Sequence, residues 1–334
     1  MKSDPIILAI ESSCDDTGAA VLRGRKVLSN VVAGQSVHEK YGGIVPELAS
    51  RSHQQNIVPV VHQALEKAGI KKEDIDAIAF TKGPGLLGSL LVGSSFAKAF
   101  SMAINKPLIE INHMEAHILA HFIEGDAAPE FPFICLTVSG GHTQLVKVSA
   151  PDQFQIIGET IDDAAGEAFD KIAKIMNFPF PGGPMIDKLS KEGIADKFSF
   201  AHPKVPGLNF SFSGLKTSVL YFLKKEIAKN PNFIEENKVD LAASVQKTII
   251  DILMKQLRIA AQQNNISQIA IAGGVSANSG LRAALKAESE WTTFIPKFEY
   301  CTDNAAMIGI AAYYKFMKGE FTDQASKASA RLEM

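Results

Sequence analysis

Cysteine is scarce in this sequence. Cys14, Cys135 and Cys301 are the only three in 334 residues, an odd number at wide spacings. Such a set excludes a disulfide framework and a CxxC metal site, and it is typical of a reducing compartment. We therefore expect a cytoplasmic protein whose core forms without disulfides.

An excess of charge of one sign is also absent. Lys and Arg number 34 and Asp and Glu number 36, so the net charge is −2. This balance excludes a globally basic nucleic-acid coat, although it leaves room for a local basic patch. A hydrophobic fraction of 46% with 21% charged residues excludes a disordered chain.

No long uninterrupted hydrophobic run is present. The most apolar stretch, residues 85–104, contains Lys98 and several serines, which predicts a buried helix and not a membrane span. Glu11 follows the short apolar run 6–10, which is too short and too charged for a signal peptide. The GxGxxG and GxxxxGK[ST] fingerprints are missing, and no Ser-His-Asp triad is apparent.

The order of predicted elements occurs twice. Each half opens with an apolar strand, a polar or Gly-rich turn and two further strands; these strands are residues 6–10, 19–22 and 27–33, then 133–138, 144–148 and 154–159. A recurring order predicts a duplicated α/β domain with a cleft between the copies. We place the subdomains at residues 1–128 and 129–334, with a loop insertion near 178–212 and a frayed end at 322–334.

Three turns are candidates for binding a nucleotide, the first two of them through its phosphate. The first is CDDTG (14–18), the second is TVSGGHT (137–143) and the third is AGGVSAN (272–278). Turn glycines and clustered backbone N–H groups let an anion approach closely. The alternatives are an ordinary Asx turn for the first and a hairpin with glycines at positive φ for the second.

The segment HMEAH (113–117) predicts a metal site. In a helix, His113 and His117 lie on one face, which is suitable ligand spacing. Glu115 lies on another face, so the segment does not reproduce the HExxH arrangement of metalloproteases. Asp303, just before the last predicted helix, is a candidate third ligand; the alternative is a helix with surface histidines.

Taken together, the motifs resemble one family across nearly the whole chain. They are IESSCDDT (10–17), YGGIVPE (41–47), HMEAH (113–117), VSGGHT (138–143), IDDAAGEAFD (161–170), PGGP (181–184), FSFSGLKT (210–217), GGVSAN (273–278) and CTDN (301–304). The chain resembles the tRNA adenosine threonylcarbamoyltransferases, the TsaD or Gcp family, once misnamed a glycoprotease. Its last five residues, 330–334, depart from the commoner family ending.

The resemblance implies the duplicated actin-like ATPase (ASKHA) fold, with two subdomains flanking a nucleotide cleft. It also implies a reaction, in which the threonylcarbamoyl group of threonylcarbamoyl-AMP passes to the N6 amine of adenosine 37 in tRNAs that read codons beginning with A. AMP is the other product. The implied bacterial partners are a metal-free paralogue, TsaB-like, and a small ATPase, TsaE-like.

The resemblance further implies site residues. His113, His117 and Asp303 correspond to ligands of one divalent metal ion, with iron favoured over zinc. The implied substrate-binding residues are Thr137, Val138, Ser139, Gly140, Gly141, Asp170, Gly183, Asp187 and Asn278. Asp15, in the first turn, is assigned a catalytic role.

Three other functions remain alternatives. A non-catalytic scaffold of the same fold does not need three metal ligands, so a metal lost in His113→Ala disfavours it. A metallopeptidase is suggested only by the two helical histidines, and the position of Glu115 counts against it. A sugar or acetate kinase of the same fold predicts ATP-dependent phosphorylation of a small molecule.

Overall fold

The computed structural model describes residues 2–125 and 127–334. The strands in these residues are β1 (Ile6–Glu11), β2 (Thr17–Arg23), β3 (Lys26–Ala33), β4 (Ala77–Gly83), β5 (Leu108–Asn112), β6 (Phe133–Val138), β7 (Thr143–Ala150), β8 (Gln153–Glu159), β9 (Gln268–Ala272) and β10 (Thr292–Phe294). The α-helices are α1 (Pro46–Ala68), α2 (Leu87–Ile104), α3 (His113–Leu119), α4 (Ala165–Ile175), α5 (Gly182–Ser190), α6 (Ser213–Ile227), α7 (Phe233–Asn264), α8 (Ser279–Lys286) and α9 (Ala305–Lys318).

The chain folds as two compact units. Unit 1 is Met1–Pro129 with Pro296–Met334, and unit 2 is Glu130–Ile295. The predicted first boundary lies within two residues of this division, but the prediction assigned everything after it to the second subdomain. The structure corrects that assignment for the last segment, because α9 packs on β1, β2 and β5.

Unit 1 is built on a five-stranded mixed sheet in the order β3-β2-β1-β4-β5. β1 pairs antiparallel with β2 and parallel with β4. Every residue of β1 is buried, as its continuous apolar run predicts. Leu8 and Ile10 pack with residues of α1, and Gly309 of α9 comes so close to Leu22 that a Cβ would lie 2.2 Å from Leu22 Cδ1.

Unit 2 repeats this topology. Its sheet has the order β10-β9-β6-β7-β8, in which β6 pairs antiparallel with β7 and parallel with β9. The predicted duplication is therefore confirmed. The sequence prediction missed β10, whose three residues are too few to show a periodic pattern. The sequence also predicts a helix over residues 185–192 within the loop insertion 178–212, and the structure has α5 there, beginning three residues earlier.

The sequence pattern predicts that the helix α2 is buried, but the structure buries only one of its faces. Its buried face consists largely of small residues, and Gly93 touches Ser12 so closely that a Cβ would lie 2.1 Å from Ser12 Oγ. Leu87, Leu91 and Met102 are exposed on the same helix. The helix α2 is long and apolar enough to cross a membrane. The core helices of soluble proteins meet the same criteria of length and composition.

The end of the chain is ordered against unit 1 and does not fray. Thr322 forms an antiparallel bridge with Leu108, and the Ser329 N–H donates to the Lys82 carbonyl at 2.8 Å. The polar composition of this segment misled the prediction, because backbone groups and not apolar side chains make these contacts.

Candidate metal centre and donor-binding residues

Two histidines and one aspartate meet in unit 1. His113 is the first residue of α3, His117 follows one turn later, and Asp303 precedes α9. One potential ligand atom from each residue lies within 4.8 Å of the others. The Asp303 Oδ1 atom is 3.2 Å from His117 Nε2 and 3.4 Å from His113 Nε2. Both histidines are buried, so the surface-helix alternative is wrong.

Helix caps hold these ligands in place. Asn112 is the N-cap of α3, and its Oδ1 accepts hydrogen bonds from the N–H groups of Met114 at 2.8 Å and Glu115 at 3.4 Å. Asn304 caps α9 in the same way, accepting from Met307 N at 3.1 Å. Side-chain caps satisfy N–H groups that have no partner inside the helix. The capped start of α3 therefore fixes His113 and, one turn later, His117, and the Asn304 cap fixes the neighbouring Asp303.

Glu11 is a residue of this group that the sequence prediction missed. Its carboxylate is fully buried at the end of β1, where Oε2 accepts from His113 Nδ1 at 3.1 Å and from Thr81 Oγ1 at 2.7 Å. The Ser13 N–H donates to Oε1. A carboxylate on Nδ1 fixes the imidazole tautomer and turns Nε2 toward the ligand side. The available signal was a charged residue ending a wholly apolar strand.

The electrostatics of this group couple its members. Burial by itself lowers the pKa of His113, but the charges of Glu11 and Asp303 raise it to about 10. Burial alone would raise the pKa values of both carboxyl groups, yet the His113 charge holds each below its ordinary value. Burial lowers the pKa of His117, which favours the neutral imidazole that binds metals.

The donor set fits a divalent cation. The buried Glu11 carboxylate and the half-buried Asp303 carboxylate face one imidazolium, so negative charge is in excess before any ion binds. Among the described residues, neither ring nitrogen of buried His117 has a partner with hydrogen-bond geometry. A buried polar atom without a partner is costly, and a metal bond would remove that cost. Two imidazoles and one carboxylate also leave coordination positions open.

The turn between β1 and β2 carries two further acidic residues. Asp15 and Asp16 are half-buried there. Burial, then the charges of Asp15 and Asp303, raise the pKa of Asp16 to about 7. His53 of α1 ties this turn down, with Nε2 3.0 Å from the Cys14 carbonyl and Nδ1 2.8 Å from Thr17 Oγ1. The catalytic role of Asp15 stays a prediction.

In unit 2 the Gly-rich turn joins β6 to β7. Thr137 and Val138 are buried within β6, whereas Gly140 and Gly141 are exposed. Ser139 closes the turn, because its N–H donates to the His142 carbonyl at 2.8 Å and its Oγ accepts from the His142 N–H at 3.1 Å. The structure therefore opens only the turn itself to a ligand. A Cβ added to Gly140 or Gly141 would meet no other atom of the described residues within 4 Å.

The two predicted ribose-binding carboxylates each accept hydrogen bonds at a helix start. Asp170 Oδ1 accepts from the N–H groups of Gly182 at 2.8 Å and Gly183 at 3.3 Å. Asp187 Oδ1 accepts from Ser279 N at 3.0 Å and Ser279 Oγ at 2.7 Å. Burial raises the pKa of Asp170, although the hydrogen bonds from the Gly182 and Gly183 N–H groups act in the opposite direction. The two carboxylates thereby join α4 to α5 and α5 to α8.

Asn278 uses its side chain within the protein. Its Oδ1 caps α8 by accepting from Leu281 N at 2.9 Å, and its Nδ2 donates to Gln246 Oε1 at 2.7 Å. Gln246 in turn donates to Ser190 Oγ at 2.7 Å. A direct contact of Asn278 with the nucleotide stays a prediction, since the observed bonds position α8.

Solved structures share this fold at low sequence identity. Component A of the Acidaminococcus fermentans (R)-2-hydroxyglutaryl-CoA dehydratase aligns with a TM-score of 0.53 and 17% identity, over 93% of this chain and 98% of that one. Full-length HypF, in a phosphate- and nucleotide-bound form, gives a TM-score of 0.62 and 12% identity, over 95% of this chain and 47% of that one. The class is thus an actin-like ATPase fold, here with a buried His-His-Asp group.

Sequence comparison gives the family. The profile described as TsaD, tRNA N6-adenosine threonylcarbamoyltransferase, matches residues 26–310. Proteins of that name from Christiangramia forsetii and Porphyromonas gingivalis are 64% and 60% identical, over 97% and 96% of this chain and the same shares of theirs. The chain belongs to the TsaD family and is a tRNA N6-adenosine threonylcarbamoyltransferase enzyme. These relatives do not favour the scaffold hypothesis.

Proposed function

We propose that the donor is threonylcarbamoyl-AMP and that the acceptor is adenosine 37 of tRNAs reading codons that begin with A. The amine nitrogen forms a bond to the carbamoyl carbon, the bond from that carbon to the phosphate oxygen breaks, and AMP leaves. The amine also loses a proton, for which Asp15 is the proposed acceptor. The observation that supports this proposal most is the buried group of His113, His117 and Asp303.

We propose that this group binds one divalent metal ion, iron before zinc. A bound ion there supplies Lewis-acid polarisation of the carbamoyl carbonyl. The protein's part is to keep the ligand atoms aligned. Glu11 holds the His113 ring through Nδ1, and Asn112 fixes the start of the helix that carries both histidines.

In unit 2, we propose that the exposed turn 139–141 receives the phosphate of the adenylate. Backbone N–H groups in such a turn stabilise negative charge that grows on the leaving phosphate. Asp170, Gly183 and Asp187 are the proposed ribose contacts. Each carboxylate already accepts from the protein through Oδ1, so the ribose hydroxyls are expected at the second oxygen.

The test is transfer of labelled threonine from threonylcarbamoyl-AMP to unmodified tRNA, with and without a chelator. His117→Ala should abolish metal binding and lower transfer by at least about 100-fold. His62→Ala is the matched control, since His62 is exposed on α1, and it should behave as wild type. Full transfer by metal-free protein, or by His117→Ala, would contradict the metal assignment.

We propose that a metal-free TsaB-like paralogue and a small TsaE-like ATPase assist the chain in the cytoplasm. The net charge of −2 supports shared tRNA binding, and the three free cysteines support a reducing compartment. Exposed apolar residues on α2, namely Leu87 and Leu91, offer a surface for the paralogue. Leu91→Lys should weaken co-purification with the paralogue and leave metal binding unchanged.

A further inference from the structure

The last residues of the chain lie against the ends of β4 and β5, and β5 leads directly into the helix α3 that carries His113 and His117. We call residues 322–334 the tail segment. None of its residues is fully buried, so apolar packing contributes little to its position. Hydrogen bonds to β4 and β5 hold it instead.

The first attachment is at the end of β4. Ser329 N donates to the Lys82 carbonyl at 2.8 Å, and the Ala330 carbonyl accepts from Gly85 N at 3.2 Å. The tail segment crosses so closely that a Cβ on Gly83 would lie 1.9 Å from the Ser329 carbonyl oxygen. Only glycine fits at this crossing, because the Ser329 backbone leaves no room for a Cβ.

The second attachment is at the end of β5. The Glu333 carbonyl accepts from Asn112 Nδ2 at 3.0 Å, while Asn112 Oδ1 accepts from the first N–H groups of α3. An amide side chain has one donor end and one acceptor end. A carbonyl bonded to the donor end therefore turns the acceptor end toward the helix that starts at His113.

A third contact holds the start of the tail segment. The Glu110 carboxylate on β5 accepts from Lys82 Nζ at 2.7 Å and from Thr322 Oγ1 at 3.2 Å, and Ser326 Oγ also donates to it. The Lys98 ammonium donates to the Ser326 carbonyl. Charged partners make these bonds stronger than neutral ones.

We propose that the tail segment positions the helix that carries the two histidine ligands. Two routes lead from it to His113. One runs from Glu333 through the Asn112 cap to the start of α3. The other runs through the end of β4, where Thr81 precedes Lys82 and hydrogen-bonds Glu11, the carboxylate that holds His113. The consequence for metal affinity rests on the proposed function, whereas the consequence for α3 does not.

The experiment compares the full chain with a chain ending at residue 330, which loses the Glu333 carbonyl but keeps Ser329 and Ala330. Amide hydrogen exchange is measured in metal-free protein. The Met114 and Glu115 amides should exchange about fivefold faster in the shortened chain, as expected when a helix cap weakens. Exchange in α7 should not change. Unchanged exchange at Met114 and Glu115 would overturn the proposal.

Two variants separate the cause. Glu333→Ala keeps the backbone carbonyl and should exchange as wild type; accelerated exchange there would contradict the carbonyl mechanism. Asn112→Asp supplies two acceptor oxygens and needs no donor contact to orient the cap. In that background the shortening should no longer accelerate exchange, so the two changes should be non-additive. Equal acceleration in both backgrounds would exclude the Asn112 route.

Zn²⁺ titration against a competing chelator measures the effect on the ligands. The shortened chain should bind Zn²⁺ about 10-fold more weakly, the lower range for loss of a group that orients a ligand. Gly83→Ala, which displaces the Ser329 carbonyl, should weaken binding similarly; wild-type affinity in both would overturn the link to His113. If wild-type protein binds no Zn²⁺ or Fe²⁺, the proposed function fails, while the exchange result still decides whether the tail segment positions α3.

Discussion

The two units place different residues at equivalent points of two sheets that have the same topology. The central strand β1 ends at Glu11 and the central strand β6 ends at Val138, each paired with one antiparallel and one parallel neighbour. Glu11 is a buried carboxylate that binds His113, whereas Val138 lies in the apolar core of unit 2. The two units therefore share the position of the strand end, and the single residue at that position decides whether the strand end is charged.

The next strands differ in the same manner. β2 begins at Thr17, whose hydroxyl bonds the His53 ring, and β7 begins at Thr143, whose hydroxyl accepts from Ala165 N. The first bond fixes an acidic turn, and the second caps α4 beside a turn of exposed glycines. At this turn unit 1 thus places acidic side chains, whereas unit 2 places exposed glycines.

The largest effect is expected from giving unit 2 the charge of unit 1. Val138 is 1% exposed, so Val138→Glu places a carboxylate in an apolar core and should destabilise the protein by about 3 kcal/mol or more. Thermal unfolding measures this. Val32→Glu makes the same change at an exposed strand residue and should alter stability by less than about 0.5 kcal/mol. Similar stability for both variants would break the comparison.

The reciprocal change removes the buried charge at the end of β1 in unit 1. Glu11→Gln takes away the charge that pairs with His113 and should weaken Zn²⁺ binding by about 10- to 100-fold. Competition titration with a chelator measures the affinity. Glu47→Gln, at an exposed position of α1, is the control and should bind as wild type. Unchanged affinity in Glu11→Gln would show that Glu11 does not orient His113.

Adjacent glycines test the close packing beside β6. Gly273 has φ 84°, and its Cβ would lie 2.5 Å from the Val138 carbonyl oxygen, whereas a Cβ on Gly274 meets nothing within 4 Å. Gly273→Ala should therefore destabilise the protein by about 2 kcal/mol, and Gly274→Ala should be close to neutral. Thermal unfolding measures the stability of the two variants. Equal stability would mean that the close contact between Gly273 and the Val138 carbonyl does not exclude a side chain.

The smallest effect concerns pH and the acidic turn of unit 1. The pKa of Asp16 is raised to about 7 from 3.8, so the folded state holds a proton that the unfolded state releases between these values. Stability then falls as pH rises through this window, and above pH 7 the folded protein carries the full cost of a buried charge. In metal-free protein, Asp16→Asn should raise the melting temperature by about 2 °C more at pH 8 than at pH 5.

The control for this pH experiment is Asp196→Asn, because the Asp196 side chain is 83% exposed. Its effect on the melting temperature should be the same at both pH values. A gain from Asp16→Asn that does not depend on pH would show that relief of buried charge is not its cause.

Local signals made much of the fold predictable. Pro46 and Gly69 are start and stop signals for a helix in the sequence. The helix α1 does begin at Pro46, and it ends before Gly69, which has a left-handed conformation with φ 64°. Continuous apolar runs marked β1 and β6, and their recurrence indicated the duplication. The pair His113 and His117 followed from helical spacing, because residues four apart share a face.

Other features depended on contacts between distant segments. Glu11 and His113 are 102 residues apart, and Asp303 is further still, so no local pattern shows that they meet. The return of α9 and the tail segment to unit 1 was likewise invisible in the sequence. The tail segment was predicted to fray because composition reports side chains, whereas its backbone makes the contacts.

By itself, the sequence determined the helices, most strands, the duplicated order and the shared helix face of His113 and His117, because periodicity, caps and turns act over a few residues. Only the tertiary structure decided which carboxylates surround His113, which strand end is charged and what holds α3. Burial is the physical reason, since the pKa values and ligand geometry of buried charged groups depend on every neighbour that replaces water.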